Sequence, residues 1–183
     1  MTIGTKLADL LPAIGKGRPV LGGDLKLAQK TYTSPITNVP LDALGTPGFF
    51  DRRFDPTPVA VSVGKEQTAP CTSASAQSVV LPITAAKLGD DVVITTAPGE
   101  VFSNATNTIK EKSTTAVVFP FAQINDALVY MPQSFEINPV GQQGLGFAFG
   151  GYVFVNYEDS YAVDRCIGDG ILETTLKMVS DLK

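Results

Sequence analysis

An α/β fold, a mixed sheet with helices packed on it, is what three features of the sequence predict. Short runs rich in β-branched residues occupy the middle of the chain, at Val79 to Thr84, Asp91 to Ala97 and Ala116 to Phe121. Such runs suit buried strands. Between the second and third, a Pro-Gly turn leads into Phe102 to Lys112, a helical stretch that Ser103 can cap. Strand, helix and strand in that order make a βαβ-like unit. Towards the end, the segment from Asp159 to Leu182 sets Val163, Ile167, Ile171, Met178 and Leu182 at helical spacing, with Thr174 filling the missing step. An amphipathic C-terminal helix is expected to lie on the sheet. The 183 residues allow one sizeable core, so residues 1–183 are expected to form a single domain.

The remaining elements follow in order. Leu7 to Ile14 suits a short helix, and the Gly/Pro-rich connector from Gly15 to Gly23 a turn. Leu25 to Thr33 alternates Leu25, Leu27, Gln29, Thr31 and Thr33 against Lys26, Ala28, Lys30 and Tyr32, the period of a strand. Five prolines between Pro35 and Pro58 predict mostly loop, before a strand at Val59 to Val63. Lys65 to Ser78, rich in Ser, Thr and Ala, reads as a surface loop. Leu88-Gly89-Asp90 marks a turn between strands, and Ala127 to Met131 a further short strand. Gly146 to Val155 is another apolar stretch. Gly168 and Gly170 would weaken the last helix by about 1 kcal/mol each relative to Ala, so close packing is the expected reason for them.

Composition excludes several functions. The chain has no histidine, which removes Ser-His-Asp and Cys-His nucleophile systems, His-rich zinc sites and a histidine general base. Its 14 Lys and Arg are scattered and the net charge is −4, so nothing follows a phosphate backbone and nucleic acid is not an expected partner. No apolar run approaches a membrane span, and Lys6, Asp9 and Pro12 break up any signal peptide at the start. Cys71 and Cys166 are either two free thiols or, in an oxidising compartment, a pair.

Two residues carry candidate chemistry. Glu100 follows a buried apolar strand, in Pro98-Gly99-Glu100, where rigid backbone would hold its carboxylate at a strand end. The bland alternative is a solvated turn glutamate. Tyr130, in an apolar segment, could ligate a metal or donate to a developing oxyanion, or simply sit in the core with its hydroxyl at the surface. Gly141 to Gly146 lacks the glycine order of a dinucleotide loop, and Asn104-Ala105-Thr106 matches a glycosylation acceptor.

Taken together, Leu88-Gly89-Asp90, then Pro98-Gly99-Glu100-Val101-Phe102, then Asn125 with Tyr130 five residues on and Met131-Pro132 after it, resemble the C-terminal part of the catalytic domain of neutral ceramidases and their bacterial relatives. The resemblance covers about Val79 to Lys183. It implies a zinc amidase acting on sphingolipids or other N-acyl amides, secreted or extracellular. It further implies that Glu100 and Tyr130 are zinc ligands, Tyr130 counting also as catalytic, with two histidines supplied by the N-terminal half of the domain. Those histidines are absent from this chain. The expected partner is therefore a histidine-bearing N-terminal half or another copy of the chain, and the chain alone should be inactive. The competing expectation is a non-catalytic structural or self-assembling binding protein that retains the fold.

Overall fold

The computed structural model describes residues 22–45, 54–64, 69–137, 158 and 161–182. Along them run β1 (Leu25–Pro35), α1 (Val39–Gly45), β2 (Val59–Val63), β3 (Cys71–Ser75), β4 (Ser78–Leu88), β5 (Val92–Thr96), β6 (Glu100–Val101), α2 (Ser103–Lys112), β7 (Val117–Phe121), β8 (Tyr130–Met131), a 3-10 turn (Ser134–Glu136) and α3 (Ile167–Asp181). The fold is α/β, as the sequence predicts. The expected Leu7 to Ile14 helix and the Gly141 to Val155 region lie outside the described residues.

A four-stranded sheet in the order β1-β4-β5-β7 is the centre of the molecule. β1 pairs antiparallel with all of β4, from Leu25 opposite Leu88 to Pro35 opposite Ser78. β4 turns into β5 through Gly89, whose φ of +54° a side chain would resist. β5 and β7 are parallel, Val92 opposite Val117 and Thr96 opposite Phe121, with α2 between them in sequence. This is the predicted strand-helix-strand unit. Pro120 cannot donate to a further ladder, which suits the edge position of β7.

One face of the sheet carries the core. Leu81, Ile83, Ala85 and Tyr32 pack against Ile167, Ile171 and Met178 of α3, while Ala105 and Ile109 of α2 meet Leu172 and half-buried Val118. The buried face of α3 is the expected one with one change: Thr175, not Thr174, fills the step between Ile171 and Met178. The helix also begins at Ile167, with Val163 buried ahead of it and Cys166 at its N-cap. Both glycines of α3 are explained by contact. A Cβ on Gly168 would stand 2.3 Å from the Pro132 carbonyl oxygen, and one on Gly170 2.1 Å from the Tyr32 ring.

Other local expectations need correction. Within the Pro-rich stretch expected to be mostly loop, one short helix forms: Asn38 accepts the Leu41 N–H at 3.2 Å and starts α1, with Pro40 in the first turn where its missing N–H costs nothing. Asn38 also donates to the Ala162 carbonyl at 2.8 Å, which ties α1 to the approach of α3. Cys71–Ser75, expected within a loop, is a strand paired antiparallel with β2, Val63 opposite Cys71. Its small polar side chains hid a true alternation of burial. Ser103 is the first residue of α2 rather than its cap; Phe102 holds the cap position and makes no side-chain capping bond. Of Ala127 to Met131, only Tyr130–Met131 is strand. Cys71 and Cys166 form a disulfide, their Cα atoms 5.5 Å apart, so the paired alternative holds and there are no free thiols.

Candidate functional site

Glu100 and Tyr130 stand opposite each other. β6 and β8 form a separate two-stranded parallel bridge in which Glu100 is the register partner of Tyr130 and Val101 that of Met131. Partners in such a bridge project to the same side. A ring contact agrees: Phe102, two residues beyond Glu100 on extended backbone, meets the Tyr130 ring edge-on with centroids 6.3 Å apart. Glu100 is exposed and Tyr130 half-buried, while Val101 and Met131 turn inward to the core.

Backbone bonds fix the bridge. Glu100 donates to the Val129 carbonyl at 2.9 Å, Leu128 to Pro98 at 2.8 Å, and Gln123 to Gly99 at 3.0 Å. Gly99 is required where two carbonyls close on it: a Cβ there would lie 2.0 Å from the Leu128 oxygen and 2.7 Å from that of Val129. Behind Tyr130 the next residues are held by α3. The Gly168 N–H donates to the Pro132 carbonyl at 3.2 Å, and buried Asp169 accepts from the Ser134 N–H at 3.0 Å and from Gln133 Nε2 at 3.4 Å.

The loop over Glu100 contains the two non-glycine residues with positive φ among the described residues, Gln123 at 56° and Asn125 at 70°. Such conformations cost free energy and persist where surrounding structure imposes them. Gln123 uses its position to donate from Nε2 to Glu100 Oε2 at 3.2 Å. Asn125 donates to the hydroxyls of Thr84 at 3.2 Å and Thr96 at 3.3 Å, anchoring the loop to the sheet end. The sequence motif marks Asn125, five residues ahead of Tyr130, but not Gln123, whose contact depends on a left-handed backbone that Gln-Ile-Asn does not advertise.

The arrangement offers one carboxylate, a donor that zinc accepts, and one phenol, which would ligate an ion as its phenolate. Among the described residues no group of three or more His, Cys, Asp and Glu could hold a metal ion, so any ion here would need donors beyond these two. A groove of about 470 Å³ between α2 and Gln133 and Phe135 lies elsewhere and is lined by neither Glu100 nor Tyr130.

A second polar cluster is structural. Asp164, fully buried, accepts from Thr37 Oγ1 at 2.8 Å, from the Cys166 N–H at 2.8 Å and from Ser73 Oγ, joining the start of α3 to α1 and β3. Nearby, burial pushes the Tyr32 phenol up, with Asp164, Asp169 and Glu173 adding to the effect.

Fold and site thus define a mixed α/β protein with a carboxylate and a phenol paired at one end of its sheet. No family model, curated protein or solved structure matches the chain.

Proposed function

We propose that this chain is the C-terminal part of a ceramidase-like zinc amidohydrolase, supplying Glu100 and Tyr130 as two oxygen ligands and depending on histidines from outside the chain. The observation that carries the reading is the register pairing of Glu100 with Tyr130, which brings together the two residues that the family resemblance picks out. Gln123 holds one carboxylate oxygen of Glu100 at 3.2 Å, and the edge of Phe102 fixes the phenol ring, so both donors are oriented by neighbours. A zinc ion completed by imidazoles would polarise an amide carbonyl and supply hydroxide near neutral pH. The substrate class is an N-acyl amide such as a sphingolipid. A secreted or extracellular setting is supported by the Cys71–Cys166 disulfide, a bond that persists in oxidising compartments.

Free imidazole can stand in for the absent histidines. In zinc titrations at a fixed imidazole concentration, the chain should take up one ion, and Glu100→Gln or Tyr130→Phe should each weaken uptake at least tenfold. Without added histidine donors, zinc alone should give no amide hydrolysis above background. Uptake that neither substitution changes would remove the metal-site reading and favour the alternative, a non-catalytic protein that retains the fold. The observation behind that alternative is the absence of any histidine.

A further inference from the structure

Among the described residues, helices cover one of the two faces of the four-stranded sheet. On the other, β1 presents Leu25 and Leu27, β4 Val80, and β7 Val117, Phe119 and Phe121, all between 36% and 68% exposed. Register places them together: Leu27 is opposite Ala86, Thr33 opposite Val80, and Ile94 opposite Phe119. The polar positions on this face are Thr and Gln, and none is charged, whereas the helix-covered face has Lys26, Lys30 and Lys87 on its strands. A solvated sheet face normally alternates in charged or strongly polar residues, and a parallel pair such as β5 and β7 is normally buried on both sides. Six large side chains at this exposure offer roughly several hundred Å² of apolar surface, at or above the largest patch of an ordinary monomer. With the half-buried Ala86, Leu88 and Ile94 between them, the face approaches the ~800 Å² that each partner gives to a standard interface.

We propose that this uncharged face is the contact between two copies of the chain, packed sheet on sheet about a two-fold axis. A self-complementary contact needs no charge pairing across its centre, and here there is no charge to bury. Among the described residues, charged groups stand only around the ends of the face: Asp24, Asp91 and the Lys87–Asp90 pair near Leu25, Leu88 and Val92, and Glu100 and Asp126 near Thr96 and Asn125. The proposal is independent of whether Glu100 and Tyr130 bind zinc.

Sedimentation equilibrium of the full chain between micromolar and hundred-micromolar concentrations tests it. The expected species is twice the chain mass, with Phe119→Asp and Leu27→Lys each weakening association at least tenfold while far-UV circular dichroism stays unchanged. A chain that remains monomeric throughout the range overturns the proposal, even if neither variant folds. So does a dimer that both folded variants leave intact, or a monomer that floats with phosphatidylcholine vesicles, which would make the face a lipid contact. Because zinc uptake is not read in this experiment, its failure is distinct from failure of the metal-site reading.

Discussion

Gly99 shows how much of the site rests on single atoms. Glu100 reaches Tyr130 because the preceding residue has no side chain and the Leu128 and Val129 carbonyls can close over it. Gly99→Ala would force a backbone carbonyl away from a position 2.0 Å from the new Cβ. Overpacking of this kind costs about 1–3 kcal/mol and sometimes more. The expected outcome is a lowered urea midpoint together with faster hydrogen exchange at the Glu100 amide, which donates to Val129. An unchanged midpoint would mean that the loop from residue 122 to 129 gives way freely and does not position Tyr130. At this scale the sequence was partly legible. Short motifs single out Glu100 and Tyr130, which the strands pair, but not Gln123, since its contact with Glu100 arises from a left-handed turn 23 residues away in sequence.

Among the elements, strands with a strong alternation were readable and those made of small residues were not. Leu25 to Thr33 announced β1 through its period, and the runs around Val79, Val92 and Val117 announced the sheet. β3 escaped because Cys71-Thr72-Ser73-Ala74-Ser75 is composed like a loop; its strand character comes from pairing with β2 and from the disulfide to Cys166. α1 escaped because prolines nearby suggested irregular chain, although Pro40 sits where a helix tolerates it. Packing of α3 on β1 ends in a testable ion pair. Lys30, from β1, meets Asp181 at 3.1 Å, and Lys177 reaches the same carboxylate at 3.3 Å. Hydrogen bonds from Lys30 and then Lys177 hold the Asp181 carboxyl below its ordinary value. A depressed carboxyl contributes stability above its unfolded pKa and loses that contribution as pH falls through the lower folded value. The pair is exposed, so the contribution is small. Carboxyl NMR titration should find Asp181 below the ordinary aspartate range and Lys30→Met should move it upward. A midpoint that ignores both lysines would contradict the assigned contact.

Across the whole molecule, the disulfide and the sheet faces set the expectations. Cys71 and Cys166 are 95 residues apart and join the β2-β3 hairpin to the N-cap of α3. Closing so long a loop stabilises by roughly 4 to 5 kcal/mol in the chain-entropy model. Replacing both cysteines by serine should lower denaturant stability by several kcal/mol, and a change below about 1 kcal/mol would mean that the bond does not constrain the unfolded chain as that model requires. The pairing could not be read from two cysteines alone, because spacing along the chain carries no distance. The α/β class could be read, since it needs only periods and order. Which face of the sheet α2 and α3 cover could not, because that depends on how the helices pack.

The central claim is that Glu100 and Tyr130 act on one ion. A double-mutant cycle on zinc affinity at fixed imidazole measures this most directly, comparing Glu100→Gln, Tyr130→Phe and the combined variant. If both oxygens bind the same zinc, each single change should weaken uptake at least tenfold and the combined loss should depart clearly from the product of the two. Losses that simply multiply, or a combined variant that binds zinc as the parent does, would contradict a shared site.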